Sequence, residues 1–228
     1  MVRPWNPHWA GTEPTVPRRL VVVSPHPDDE VFGAAGLMTW CSQRGTTVEI
    51  IAATDGEGSH PESATVSRSQ LRLVRAHERR CALALLDLAN VPVHRLGLAD
   101  GSLEEVGEEL TTLIMSRVDG QTTLVVPSQH DSHPDHQAAH RAGLAIRNLL
   151  GCQLWEYAVW ARLNPREFPQ LGKTLHLGAG LHYRKLVASW CFRSQILAMG
   201  PNAETDGPVL DAPTLAAFTS PTERVVMS

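Results

Sequence analysis

The sequence predicts an α/β fold: one doubly wound domain built on a mostly parallel sheet, with an irregular N-terminal arm and a C-terminal helix. Three observations predict it. Apolar runs of strand length alternate with helical patterns from residue 19 to residue 160, which is the order that wraps helices around a parallel sheet. The run Leu20-Val21-Val22-Val23 is apolar without interruption, as a strand buried on both faces requires. At 228 residues, with 43% hydrophobic and 19% charged residues, the chain is long enough for one sizeable core and too short for two enzymatic domains.

Taken in order, residues 1–18 hold prolines and tryptophans without a period and read as an arm. The domain is expected over 19–200 and a loop-like tail over 201–228. Strand Leu20–Val23 is followed by a helix over 31–44, which ends near Gly45, and by a second strand, Thr46–Ala53, giving a Rossmann-like βαβ unit. Residues 54–67 are polar and rich in Gly, Ser and Pro, long enough to act as a lid. Beyond them the pattern predicts a helix over 69–88, a strand over 91–96, a helix over 103–118, a strand over 122–127, a helix over 138–150 and a strand over 153–160. A loop with Pro165 and Pro169, an edge strand near 173–177 and one helix over 181–199 complete the reading.

Composition narrows the function. Twenty Lys and Arg against 24 Asp and Glu give a net charge of −4, with no basic run to follow a phosphate backbone, so nucleic acid is not an expected partner. No apolar stretch reaches the length of a membrane span, and the N-terminus has no apolar core of a signal peptide; a cytoplasmic protein is expected. The four cysteines, Cys41, Cys81, Cys152 and Cys191, form no CxxC pair and read as buried thiols. Exposed apolar positions on the C-terminal helix offer a contact for a homo-oligomer.

The 11 histidines are numerous for this length, and they gather beside aspartates in two places. Pro25-His26-Pro27-Asp28-Asp29-Glu30 follows the first strand, and His130-Asp131-Ser132-His133-Pro134-Asp135-His136 follows the strand over 122–127. In a doubly wound sheet both would open onto the crevice beyond the strand C-termini, where ligands bind. Read alone, Asp28-Asp29-Glu30 caps and charges a helix, and His-Pro-Asp-His is a polar turn. Capping needs no histidines, so the two together are better explained by a divalent metal site, with imidazole and carboxylate ligands and a position left for water.

The pair PHPDDE at 25–30 and HPDH at 133–136 resembles the LmbE/PIG-L family of metal-dependent N-acetylglucosaminyl deacetylases. The likeness extends to Thr54-Asp55-Gly56-Glu57, to Arg75 and Glu78, and to the run from Leu96 to Gly101, covering roughly residues 19–150. The resemblance implies that His26, Asp29 and His136 bind zinc, with iron(II) the alternative in the cell, and that Asp28 is the general base. It implies that His133 is the electrophilic or acid partner, oriented and favoured in its charged form by Asp135, and that Arg75 and Asp100 contact an N-acylated amino sugar or glycoconjugate. Two positions depart from the pattern: Phe192 stands where relatives often carry a histidine ahead of Ser194-Gln195, and Asp131-Ser132 occupy a stretch where some carry a tyrosine. His140, one helical turn beyond His136, is a rival ligand, and His60 in the polar loop is a candidate substrate contact. Two other readings stay open: an amidase acting on a non-sugar metabolite, and a metal-binding accessory protein without turnover.

Overall fold

A computed structural model of the chain describes residues 6–164 and 172–227. Its elements are β1 (His8–Trp9), β2 (Arg19–Ser24), α1 (Asp29–Ser42), β3 (Thr47–Thr54), α2 (Arg68–Leu85), β4 (Val93–Leu98), α3 (Gly107–Met115), β5 (Thr123–Pro127), α4 (Pro134–Leu150), β6 (Gln153–Tyr157), a 3-10 turn (Trp160–Leu163), β7 (Lys173–His176), α5 (Gly178–Ser189), α6 (Arg193–Ile196), α7 (Ala212–Phe218) and β8 (Thr222–Met227). One eight-stranded sheet runs in the order β1-β7-β8-β6-β5-β2-β3-β4. Strands β4, β3, β2, β5 and β6 are parallel, while β8 and β1 pair antiparallel with their neighbours.

The apolar run of β2 is explained by its two faces. Leu20 and Val22 pack with α1, α2 and α5, whereas Val21 and Val23 pack with α3 and α4, so successive residues enter opposite core layers. Helix α1 is buried from Asp29 to Cys41, because it lies between the sheet and the helices outside it. Two glycines allow that depth: a Cβ on Gly33 would lie 2.1 Å from the Tyr157 ring, and one on Gly36 would lie 2.2 Å from Leu177.

The N-terminal parallel half follows the sequence reading closely, whereas the remainder departs from it. The arm contributes β1, whose His8 and Trp9 pair with His176 and Leu175. The expected edge strand, β7, therefore lies between β1 and β8. The tail is not loop throughout: it forms α7 and then β8, which inserts between β7 and β6. The single helix expected over 181–199 is two, because the chain turns through Trp190–Phe192 before α6. Strand β6 stops at Tyr157, and Trp160 opens the 3-10 turn. The loop containing Pro165 and Pro169 lies outside the described residues. All four cysteines are free, Cys41 and Cys152 buried as expected but Cys81 and Cys191 half-buried. Among the described residues no helix is long and apolar enough to cross a membrane.

Candidate metal centre and active site

Strands β2 and β5 are adjacent, and the chain leaves them toward opposite ends of the sheet, β2 feeding β3 and β5 feeding β6. Their C-terminal ends thus meet at the topological switch point, where a crevice opens. After β2 the turn is pinned: the Thr54 hydroxyl and amide donate to the Pro25 carbonyl at 2.8 and 3.1 Å, and the Ser24 hydroxyl donates to the His26 carbonyl at 2.6 Å. After β5, His133 caps α4 and Pro134 fills its first turn, where a missing N–H costs nothing. Two residues on, still in the first turn of α4, His136 is brought opposite Asp29.

Three side chains converge on one point. Asp29 Oδ2 lies 3.2 Å from His26 Nδ1 and 3.2 Å from His136 Nε2. Ligand atoms about 2 Å from a tetrahedral metal sit about 3.3 Å from each other, so the spacing is that of a divalent-metal ligand set. His136 Nε2 is buried and has no hydrogen-bond partner, which is costly unless something binds it. The opposite nitrogens are fixed from behind: His136 Nδ1 meets Asp131 Oδ2 at 2.8 Å, and His26 Nε2 meets Asp135 Oδ2 at 3.1 Å and Asp100 Oδ1 at 3.2 Å. A carboxylate behind each imidazole orients the ring and raises its basicity toward a cation. The residues present therefore fit a metal.

The same carboxylates set the charge of the metal-free cluster. Burial opposes a charge on His136, but Asp29 and Asp131 outweigh it and lift its pKa to about 9. Burial likewise opposes a charge on His26, and Asp100, Asp135 and Asp29 raise its pKa well above the ordinary value. Burial pushes Asp29 up, and the two histidines hold it well below the usual carboxylate range. Among the described residues, three imidazoles and two carboxylates form two groups that share His26, His26/His133/His136 and His26/Asp100/Asp135, with ligand atoms within 4.8 Å in each; Asp29 adjoins them through His26 and His136.

Asp28 stands beside this set and makes a different contact. Its Oδ2 accepts from Arg75 Nη2 at 3.0 Å, and its carboxylate caps no amide of α1. Burial lifts Asp28 to about 6 while Arg75 pulls it back, a position suited to exchanging protons near neutral pH. Arg75 also donates to the Gly56 carbonyl at 2.8 Å, and Gly56, at φ +70° and with Arg75 2.3 Å from where a Cβ would stand, gives it room. Glu78 pairs with Ser194, not with Arg75. Glu30 is structural: fully buried, it accepts from Ser24 and Arg79.

Five expectations meet a different geometry. The Asp135 carboxylate hydrogen-bonds His26 and the amides of Gly101 and Leu103 and reaches His133 by its charge alone, while its backbone N–H donates to His133 Nδ1 at 3.2 Å. That bond places the proton of the neutral His133 ring on Nε2. Burial and the neighbouring His26 and His136 depress the His133 pKa, so this environment disfavours the charged form expected from the sequence. Asp100 lines the crevice, yet its oxygens already take His26 and the Gly58 amide at 2.7 Å, and those contacts outweigh burial to hold it at about 2. His140 turns away, its Nδ1 on the Pro127 carbonyl at 3.2 Å. His60 contacts the Gly207 carbonyl at 3.1 Å, fastening the polar loop to the C-terminal segment. The sequence reading missed Asp131, which holds His136 and accepts from the amides of Val159 and Ala161; its one signal is a carboxylate five residues before a ligand histidine. It also missed Gln195, Trp160 and Phe218, which line the crevice from distant segments.

Fold and site together define a doubly wound α/β protein with a buried His/Asp cluster of metal-ligand spacing at its switch point. The sequence profile of the PIG-L family, described as GlcNAc-PI de-N-acetylase, matches residues 21–147, and the chain belongs to that family. It is 33% identical over 129 residues, 54% of this chain, to a protein of Bacillus subtilis (strain 168) described as a probable N-acetyl-α-D-glucosaminyl L-malate deacetylase 2; the match spans 58% of that relative's length. Among solved structures it resembles the N,N'-diacetylchitobiose deacetylase of Pyrococcus horikoshii, with a TM-score of 0.65 at 20% identity over 92% of this chain and 84% of that one. The 4-carboxy-2-hydroxymuconate hydratase of Pseudomonas putida KT2440 shares the fold as well, with a TM-score of 0.60 at 15% identity over 92% of this chain and 95% of that one. The fold alone therefore does not select the reaction.

Proposed function

We propose that the protein is a cytoplasmic, metal-dependent N-deacylase that hydrolyses the acyl amide of an amino sugar or glycoconjugate, with zinc or iron(II) held by His26, Asp29 and His136. The observation that carries this reading is the buried His136 Nε2, which makes no hydrogen bond and lies 3.2 Å from an Asp29 oxygen that also faces His26, with a second acid, Asp28, held alongside by Arg75. The metal supplies Lewis acidity, which brings the pKa of water to about 7 and polarises an amide carbonyl.

The chain's own residues supply the rest. Asp28 takes the proton from the attacking water and returns it to the leaving amine nitrogen, and Arg75 keeps its carboxylate aimed at the crevice. His133 donates its Nε2 proton to the oxyanion that develops on the acyl carbon, as a neutral ring whose tautomer the Asp135 amide has set. Asp100 and Asp135 hold His26, and Asp131 holds His136, so the ligands need no reorganisation when the cation binds. Gly58, Ser59, Arg75 and Gly101 present polar groups at the crevice for sugar hydroxyls.

Elemental analysis of the purified protein beside His26→Ala, together with amine release from a panel of N-acetylated sugars and non-sugar amides, tests the reading. One equivalent of metal that the variant loses, with amine released from sugars, supports it. Absence of metal after reconstitution with zinc or iron(II) would sink it, and release from the non-sugar amides alone would replace the substrate class.

A further inference from the structure

The crevice has two kinds of wall, and the sheet order keeps them apart. Polar groups come from the β3 and β4 side, through Gly58, Ser59, Asp100 and Gly101 with Arg75 of α2. From the β6 and β8 side come Val159, Trp160 and Phe218, joined by Phe32 of α1. These apolar side chains are packed on each other: the Trp160 and Phe218 rings meet edge to face at 5.2 Å, Phe32 and Phe218 lie 5.4 Å apart, and Phe192 backs Phe32 at 5.5 Å. Phe32, Val159 and Phe218 are each 1% exposed, so the wall is rigid. It begins at the reacting groups, since Trp160 stacks toward His133 at 6.5 Å and Phe32 lies one helical turn from Asp29.

The cavity measures about 190 Å³, below the roughly 300–1,000 Å³ of sites that engulf a small molecule. It can enclose one end of a substrate, leaving the other at the mouth. A sugar's hydroxyls need the polar rim, because each would lose its hydrogen bonds against the aromatic wall. The acyl end is left for the apolar side, where the half-buried Trp160 offers ring surface and Phe32, Val159 and Phe218 back it.

We propose that Phe32, Val159, Trp160 and Phe218 form an acyl-recognising wall, which makes the enzyme prefer N-acyl chains longer than acetyl. This rests on the N-deacylase reading and names the group that is cleaved. Each methylene seated in an apolar pocket is worth roughly 10–200-fold in specificity.

The test is the kcat/KM of wild type and of Trp160→Ala on glucosamine carrying N-acetyl, N-propionyl and N-butyryl groups, with the metal-loaded protein and amine release as the readout. Metal content and thermal midpoint of the variant, and the milder Phe218→Leu, guard against a folding defect. In the wild type kcat/KM is expected to rise by about ten-fold or more from acetyl to butyryl, and in both variants that ratio falls toward one. Equal rates on the three amides, a preference for acetyl, or a variant that slows all three alike would overturn the wall while leaving the deacylase reading standing. Release of amine from none of them would overturn both.

Discussion

Two clusters of buried charge lie along α1, and they differ in one respect. At the helix N-terminus His26, Asp29 and His136 surround a point next to a cavity, and one ligand atom there, His136 Nε2, makes no hydrogen bond and faces only the Asp29 carboxylate. At its middle, Lys185 and Glu223, both fully buried, close on themselves and on the backbone. Lys185 Nζ donates to Glu223 at 2.8 Å and to the Phe32 carbonyl at 2.6 Å, while Glu223 accepts from the amides of Gly36 and Leu37 at 2.9 and 3.1 Å. Both clusters carry the cost of desolvation, but in the second the ammonium and both carboxylate oxygens are hydrogen-bonded, whereas in the first His136 Nε2 makes no hydrogen bond. Burial and charge are therefore not what marks a functional site here; an unbonded ligand atom in a cluster that borders a cavity is.

Four perturbations sharpen that contrast. The largest effect is expected from Asp28→Asn, which should lower kcat by roughly 10²–10⁴-fold, the range for a lost general base, while elemental analysis still finds one metal per chain. Loss of the metal instead would make Asp28 a ligand. At the closed cluster, Glu223→Leu leaves Lys185 and two α1 amides without their acceptor and should cost about 3–5 kcal/mol in urea unfolding, with metal content unchanged; an unaltered midpoint would show that the pair is dispensable. Asp131→Ala removes the carboxylate behind His136 and should weaken metal affinity roughly 10–100-fold, as read by competition with a chromophoric chelator. If affinity is unchanged, Asp131 serves only the turn at Val159.

The smallest effect is in the pH dependence of stability. Burial lowers the Lys185 pKa from 10.5 to about 8, Glu223 opposing it. Between these values the unfolded chain binds the proton that the folded chain has released, so this group's contribution to stability rises with pH across that window and is flat below it. The difference in unfolding free energy between wild type and Lys185→Met isolates it from the other titrating groups. A difference that does not change above pH 8 would mean that the ammonium keeps its proton in the fold.

The parallel half of the sheet was legible because its two central strands, β2 and β5, are uninterrupted apolar runs and its helices end at Gly or in polar stretches. Nothing comparable announces β8: Glu223 sits at an inward position, and the lysine that makes it tolerable lies 38 residues upstream. The turn that separates α5 from α6 carries neither Gly nor Pro, so Leu181–Met199 reads as one helix. Both metal motifs were visible because each is contiguous and follows a strand directly. Asp131 was passed over because its role depends on where the chain goes after β6, where Val159 and Ala161 offer it their amides.

What the sequence by itself determined is the local chemistry: which residue types stand at the ends of which strands, and hence that imidazoles and carboxylates are available for a cation. Covalent neighbours and short periods carry that information. Which atoms meet was decided by the tertiary structure alone. Pairing β2 with β5 sets Asp29 against His136, turns Asp135 toward His26 instead of His133, and leaves one nitrogen unsatisfied. The inserted β8 and the α7 before it place Glu223 against the α1 backbone and Phe218 against the crevice. Those contacts join residues up to 187 positions apart, and they form because burying both faces of one sheet leaves few ways to arrange its strands, a constraint that belongs to the whole chain and to no segment of it.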